Sequence, residues 1–140
     1  MTTLREITPA SAAFDRFTAA LADAGLLTDD LTAEPFRYFS AEDAAWGGFS
    51  PGEDALLRSV VVAPSARTRG IGRALVEALA QRAQERGAQR LWLLTTDAAP
   101  FFARLGWAVM DRAQAPPAIA ASRQFAGLCP ASATFMARTL

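Results

Sequence analysis

The sequence predicts a single domain of the mixed α/β class that spans residues 1–140, and three observations support this prediction. The chain has 140 residues, of which 51% are hydrophobic and 20% charged, which suffices for one core and not for two. Residues 55–62 form an almost continuous apolar run, as a central strand covered on both faces requires. A helical pattern and a second apolar run, at residues 90–95, follow it, and this alternation is typical of α/β domains.

The first elements are a strand at residues 4–7 and an amphipathic helix. Thr8 is the expected N-cap of this helix and Pro9 its first-turn residue, because threonine and proline favour those places. Apolar residues then recur at helical spacing from Phe14 until Gly25 ends the helix.

The remaining elements follow from the same periodicities. From Gly70 to Gly87 apolar residues recur at helical spacing with charged residues between them, which predicts a long helix. Residues 116–129 fit neither pattern. The other predicted elements are a short helical piece after Thr28, hairpin strands at 36–41 and 45–49, a turn at 50–53, strands at 55–62 and 90–95, a short helix at 100–105, and strands near 107–110 and 133–138.

The residue types that are missing exclude several chemistries. The chain has no histidine, no lysine and one cysteine, Cys129, and its 14 arginines balance 14 acidic residues. Without histidine there is no Ser-His-Asp or Cys-His catalysis, and one cysteine forms neither a structural zinc site nor an internal disulfide. We therefore expect no metal. The net charge of zero argues against general binding to nucleic acid or to an anionic membrane.

The start of the chain does not resemble a targeting segment. Residues 1–9 carry Arg5 and Glu6 and lack the apolar core of a signal peptide, and no apolar stretch approaches the length of a membrane span. We expect a cytoplasmic protein. Whether it forms a homodimer is left open.

The segment between the central strand and the long helix is the most informative about function. It reads Val62-Ala63-Pro64-Ser65-Ala66-Arg67-Thr68-Arg69-Gly70-Ile71-Gly72-Arg73. Gly70 and Gly72 remove side chains where the N–H groups of a first helical turn point outward, and the arginines add positive charge, so a phosphate or pyrophosphate is the expected ligand. A dinucleotide-binding fingerprint is not predicted, because it would place its first glycine directly after the strand, whereas seven residues separate Val62 from Gly70.

Arg67, Gly70 and Gly72 fit the signature Gln/Arg-x-x-Gly-x-Gly/Ala, and the chain resembles the GCN5-related N-acetyltransferases (GNAT) over nearly its whole length. Phe102 to Trp107 is similar to a second signature of that family, aromatic-x-x-x-Gly-Phe. The resemblance implies a mixed, mostly antiparallel central sheet that is splayed to admit CoA and flanked by helices. It also implies an N-acetyltransferase that uses acetyl-CoA as cosubstrate and a small-molecule amine as acceptor.

The resemblance further implies a cofactor site. The main chain of Val60 and Val62 would bind the pantetheine arm of acetyl-CoA. The amine would attack the thioester directly, and a strand amide would stabilise the oxyanion. The pyrophosphate would be held by Arg67, Arg69, Gly70, Ile71, Gly72 and Arg73.

Two protons must move in such a reaction, and the sequence leaves both routes open. Family members often protonate the departing thiolate from a tyrosine whose place is taken here by Phe102. A thiol pKa of about 8.5 makes the thiolate a tolerable leaving group without that acid. A catalytically silent acyl-CoA-binding or regulatory module is the alternative. The candidate bases are Glu42, Glu53, Asp54 and Asp97, or a water chain beside them, and Glu53 and Asp54, just before the central strand, are the catalytic candidates chosen. Either could instead be part of a solvated turn.

Three further residues are candidates for substrate binding. Arg58 places a charge inside an apolar strand, which is costly unless the charge is paired. It either binds a buried acid or grips an oxyanion of the substrate. Thr95 and Thr96, at the end of the next strand, either contact pantetheine or substrate or satisfy strand-end backbone groups.

A narrower resemblance concerns the acceptor. Leu56-Leu57-Arg58-Ser59 and the tail from Gln124 to Ala133 look like the arsenic-resistance N-acetyltransferases. That branch would imply an anionic amino-acid-like amine, such as an arsenical or phosphinic amino acid. Direct capture of arsenite is not expected, because it requires two or three thiolates and the chain has one cysteine.

Overall fold

The computed structural model describes residues 3–26, 28, 31–32, 35–67, 70–128 and 132–140, whose strands form one seven-stranded mixed sheet in the order β1-β2-β3-β4-β5-β7-β6. Only β4 and β5 are parallel, and every other neighbouring pair of described strands is antiparallel. The strands are β1 (Leu4–Ile7), β2 (Arg37–Ala41), β3 (Ala45–Phe49), β4 (Asp54–Val62), β5 (Arg90–Thr95), β6 (Ala108–Val109) and β7 (Thr134–Thr139).

The described helices lie on both faces of the sheet. They are α1 (Ala12–Asp23), α2 (Ile71–Glu85), α3 (Ala99–Arg104) and α4 (Pro117–Ala120), with 3-10 turns at Pro64–Ala66 and Arg112–Gln114 and a π-helical turn at Gln124–Leu128. None of the helices in these residues is long and apolar enough to cross a membrane. The mixed, mostly antiparallel sheet with flanking helices confirms the predicted fold class.

Helix α2 covers the main core. Leu75 and Leu79 on its inner face are fully buried against Leu57 and Leu91, which belong to the two parallel strands. Burial of each such side chain contributes about 1.5–3 kcal/mol. The helix is therefore fixed firmly to the centre of the sheet, and its N-terminus is fixed with it.

The opposite face of the sheet carries two smaller cores. Helix α1 buries Phe14 and Phe17 against Trp46 and Val61 on the β3–β4 side. On the β5–β7 side, α4 buries Ile119 in a cluster that also holds Leu56, Trp92 and Phe135. Strand β4 lies between these two groups and is buried along most of its length, as its apolar run predicts.

Two local predictions need correction or extension. Helix α1 does not begin at Thr8 and Pro9, because the Thr8 carbonyl accepts hydrogen bonds from the backbone N–H and the hydroxyl of Ser11, both at 2.9 Å. A turn therefore precedes the helix, and Ser11 is its N-cap. Residues 116–129, which fitted no pattern, contain α4 and the π-helical turn. The helical piece predicted after Thr28 falls largely outside the described residues.

Candidate active site

The two parallel strands separate to form an opening in the sheet. Strand β4 pairs with β5 only between Asp54 and Leu56, which lie opposite Arg90 and Trp92. Beyond Leu56, the described residues of the two strands do not pair with each other, although β3 and β7 continue to pair with their outer edges. An extended chain can therefore lie between the inner edges and use their free backbone groups.

A β-bulge bends β4 where this opening begins. Two residues of β3, Trp46 and Gly48, face Val61 and Arg58, so β4 has one residue more than its partner. Ser59 lies in this bulge with φ +58°, a left-handed conformation that is unusual for a residue other than glycine. The extra residue shifts the alternation of side chains, and β4 changes direction at the same point.

The backbone after the bulge faces the opening. The N–H of Ala63 donates to the carbonyl of Ala44, which directs the backbone groups of Ala63 toward the β3 side. Because backbone direction alternates along an antiparallel ladder, the groups of Val60 and Val62 point away from β3. The contact of these two residues with an extended ligand stays a prediction, and their backbone groups point in the direction that it requires.

The N-terminus of α2 lies beside the end of β4. Gly70 ends the preceding loop with φ +69°, a conformation that suits glycine, and precedes the first helical residue, Ile71. A Cβ atom on Gly72 would lie 3.4 Å from Cγ2 of Val62 and 3.7 Å from Cζ of Phe101, so the first turn closely approaches the strand end. In the described residues, no side chain caps this helix and its first turn has no acidic residue. Its free N–H groups form a site for an anion.

Arginines add to the positive charge of this helix terminus. The Nε of Arg67 donates to the Val62 carbonyl at 3.1 Å, which holds its exposed guanidinium at the end of β4. Arg73 is exposed on the first turn of α2. The structure thus brings Arg67, Gly70, Ile71, Gly72 and Arg73 together, whereas Arg69 lies outside the described residues.

Arg58 lies at the start of the opening and is 3% exposed. Its Nε donates to the Ser59 hydroxyl at 2.8 Å, and its guanidinium carbon lies 5.0 Å from the ring centroid of Phe36. With its side-chain oxygen turned to the guanidinium, the buried Gln124 accepts from Nε and Nη2 at 3.3 Å each. Sequence reasoning recognised Arg58 from its unusual charge but missed Phe36 and Gln124, because neither is close to it in sequence.

Glu53 and Asp54 lie at the other end of β4. The Glu53 carbonyl accepts from the N–H groups of Gln89 and Arg90, and Asp54 Oδ1 accepts from the indole N–H of Trp92 at 3.0 Å. Ser59 in the bulge lies five positions, or about 16 Å, further along the strand than Asp54. The structure does not bring these two carboxylates to the opening, and the role of base assigned to them stays a prediction that this geometry does not favour.

The other polar candidates lie at the same end as the helix terminus. Thr95 ends β5, and its Oγ1 accepts from the N–H of Ala98 at 3.0 Å, which satisfies a strand-end backbone group. Thr96 and Asp97 follow it and are exposed. Glu42 lies in the β2–β3 turn with φ +56°. Of the four carboxylates considered, Asp97 and Glu42 are thus the two at the open end.

The aromatic signature belongs to the core. Phe102 is 6% exposed and packs edge-to-face on Phe101 and Trp107, with ring centroids 5.1 and 5.6 Å away. It offers no hydroxyl. Tyr38 is buried under α1 and donates its hydroxyl to the Leu31 carbonyl at 2.7 Å, so it has a structural partner.

Comparison with known proteins agrees with this geometry. Residues 5–107, about three quarters of the chain, match the model of the Acetyltransferase (GNAT) family. A comparison with curated proteins finds no match. The narrower resemblance to arsenic-resistance enzymes receives no support from these comparisons.

Solved structures share the fold at low sequence identity. N-acetylglutamate synthase from Neisseria gonorrhoeae, solved with coenzyme A and N-acetyl-glutamate, has a TM-score of 0.78 and 17% identity, covering 100% of this chain and 35% of that one. Rv2747 from Mycobacterium tuberculosis, solved with CoA, has a TM-score of 0.72 and 20% identity, covering 99% of both chains. A GNAT-family acetyltransferase from Staphylococcus aureus has a TM-score of 0.72 and 15% identity, covering 100% and 99%. The chain thus spans about a third of the synthase and almost all of the other two.

Proposed function

The chain belongs to the acetyltransferase (GNAT) family, and on that premise we propose that it transfers the acetyl group of acetyl-CoA to the amine of a small, anionic, amino-acid-like molecule. The observation that supports the cosubstrate most directly is the uncapped, arginine-flanked N-terminus of α2 at the mouth of the opening between β4 and β5. Two of the structural neighbours were solved with CoA, which agrees with this choice.

The two halves of the cosubstrate fit two parts of the site. The pyrophosphate would accept hydrogen bonds from the first-turn N–H groups of α2 and from Arg67, because helix N-termini and guanidinium groups both favour phosphate oxygens. The pantetheine arm would extend along Val60 and Val62 toward the point where the strands meet. The thioester would then lie near the bulge, where the amine can attack its carbonyl carbon.

The proposal of an anionic amine as the acetyl acceptor rests on the positive charge of Arg58 at the start of the opening. Arg58 adjoins the bulge at Ser59, and its guanidinium suits a carboxylate, phosphinate or arsonate on the substrate. Its contacts with Ser59, Phe36 and Gln124 hold it in one orientation. An acceptor that carries an acidic group a few bonds from its amine would be oriented by Arg58 for attack.

A test of this function needs one binding and one turnover measurement. Acetyl-CoA should raise the melting temperature of the protein, and thiol release should then be followed with 4-aminobutyrate and with butylamine, which share a chain but differ in the carboxylate. We expect faster release with 4-aminobutyrate, and a panel of phosphinic and arsenical amino acids would refine the choice. Equal rates for the matched pair would contradict the anionic acceptor, and an unchanged melting temperature would contradict the cosubstrate.

The second candidate function is a catalytically silent acyl-CoA-binding module, and Phe102 favours it because the usual tyrosine hydroxyl is missing. Acetyl-CoA binding without thiol release on any amine of the panel would support that candidate. A cytoplasmic location and the absence of nucleic-acid and membrane partners remain predictions. Cell fractionation can test the location, and size-exclusion chromatography can show whether the protein forms a homodimer.

A further inference from the structure

We propose that the hydroxyl of Ser59 donates a hydrogen bond to the sulfur of CoA and stabilises the charge that the sulfur gains as the thioester breaks. This inference rests on the proposed function and deepens it. It assigns to a strand residue the stabilising contact that the tyrosine missing at Phe102 would otherwise make.

Ser59 has the right place along β4. It lies three residues beyond Leu56, the last residue paired with β5, and three residues before Val62, which adjoins the first turn of α2. That interval corresponds to about 10 Å of strand on each side. An extended arm that starts at α2 and follows the edge of β4 therefore passes Ser59 before the two strands close. Ser59 is partly exposed, as contact with a ligand requires.

The hydrogen bonding of Ser59 leaves its proton available. The hydroxyl accepts from Nε of Arg58 at 2.8 Å, and among the residues that the structure describes no acceptor for its own proton lies within hydrogen-bond distance. A hydroxyl can accept and donate at once. Because its lone pair faces a cation, the O–H group is polarised and becomes a stronger donor to a negatively charged atom.

The backbone conformation of Ser59 is also unusual for a strand residue. Ser59 has φ +58°, where glycine is the easier choice. A side chain is present at this position against the backbone preference. Glycine would adopt the conformation of the bulge more easily, so the bulge alone does not explain why a serine occupies this position. A contact between its hydroxyl and the ligand would explain it.

The chemical step balances without a proton from serine. The amine nitrogen forms a bond to the carbonyl carbon, the carbon–sulfur bond breaks, and its electron pair stays on sulfur. The proton lost by the amine passes to water, and the thiolate is protonated from solvent after release. Ser59 keeps its proton throughout and contributes only a hydrogen bond.

Thr95, at the end of the other parallel strand, carries a second hydroxyl, which has a different environment. Thr95 Oγ1 accepts from the uncharged backbone N–H of Ala98, and no described cation donates to it. We therefore expect Ser59 to be the stronger donor to sulfur. Thr95→Val belongs in the test, because it would reveal a donor on the opposite strand.

The first experiment measures the acidity of the CoA thiol in the binary complex. Its thiolate absorbance is titrated with wild-type protein, Ser59→Ala, Ser59→Gly, Thr95→Val and the matched control Ser11→Ala, in which the serine lies before α1. We expect the bound thiol to have a pKa about one unit lower in wild type and Ser11→Ala than in both Ser59 variants, a tenfold change in acidity that matches one hydrogen bond to a charged atom. Arg58 is present in all five proteins, so its own charge does not contribute to the differences between them.

The second experiment measures turnover with the best amine of the panel. Both Ser59 variants should lower kcat about tenfold at unchanged KM for acetyl-CoA. Ser59→Gly distinguishes the effect of the hydroxyl from an effect on the backbone, because glycine removes the side chain and still adopts the left-handed conformation of the bulge easily. Equal thiol pKa values in all proteins, full activity of Ser59→Gly, or a pKa shift confined to Thr95→Val would each overturn the proposal. Failure of the wild type to bind CoA would overturn the proposed function as well. The shift in melting temperature with CoA measures this binding directly, so it distinguishes failure of the proposed function from failure of the role of Ser59 alone.

Discussion

Gly72→Glu should abolish the stabilisation of the protein by acetyl-CoA while leaving the free protein folded. The added Cβ would lie 3.4 Å from Val62 and 3.7 Å from Phe101, which are ordinary contact distances. A carboxylate in the first turn of a helix also stabilises the helix, by about 0.3–1 kcal/mol. The melting temperature of the free variant should therefore stay close to that of wild type.

The loss of binding follows from the charge placed at the proposed pyrophosphate site. Two unit charges about 4 Å apart at an effective dielectric constant of about 20 repel by about 4 kcal/mol, which corresponds to roughly a thousandfold weaker affinity. At a concentration of about 100 Kd, acetyl-CoA should stabilise wild type by about 2.7 kcal/mol, or roughly 10 °C for a domain of this size. The same concentration is about a tenth of the Kd of the variant, and the gain falls below about 0.1 kcal/mol.

Differential scanning fluorimetry with and without acetyl-CoA measures both quantities. Gly72→Ala adds the methyl group without the charge, and Gln81→Glu adds a charge at an exposed position further along α2. Both controls should keep most of the shift. A shift in Gly72→Glu as large as that of wild type would refute the assignment of the pyrophosphate site.

Three further predictions concern residues that belong to β4 or contact its end. Arg67→Ala should weaken acetyl-CoA binding roughly tenfold or more in calorimetry, because one charged hydrogen bond to phosphate is lost, and an unchanged Kd would contradict that contact. Asp54→Ala should lower the free energy of unfolding in urea by about 1–3 kcal/mol, because the buried Trp92 indole loses its acceptor. Loss of the acidic limb of the pH–rate profile in Asp54→Asn would contradict this structural role and identify Asp54 as the base. Arg58→Gln should reduce the preference for 4-aminobutyrate over butylamine at least roughly tenfold in the thiol-release assay, and an unchanged preference would place the acceptor's carboxylate elsewhere.

Hydrophobic periodicity was sufficient to predict most of the elements. The apolar run of β4 and the helical spacing of α2 both result from burial in the same core. Each pattern can therefore be recognised from its own stretch of sequence. The proposed pyrophosphate site could also be predicted from the sequence, because Gly70 and Gly72 lie close together in it and between those two elements. Local signals of this kind do not require knowledge of the tertiary structure.

Features that depend on strand register could not be predicted. The bulge at Ser59 has no glycine or proline to mark it, and it is visible only from the pairing of β4 with β3. The position of Glu53 and Asp54 at the closed end follows from the parallel pairing of Asp54 with Arg90, which are distant in sequence. The surroundings of Arg58 likewise come from Phe36 and Gln124, which lie far from it along the chain.

The bulge divides β4 into two segments whose sequences can vary under different constraints. Before it, Leu57 faces α2 and Leu56 faces α4, whereas after it Val60 and Val62 face α2 and Val61 faces α1. Deletion of the extra residue, Ser59, would keep these faces, because Leu57, Val60 and Val62 would then alternate regularly with Arg58 and Val61. Deletion of any other residue of β4 would exchange the faces on one side of it, so the fold should tolerate the loss of Ser59 better than any other change in the length of this strand.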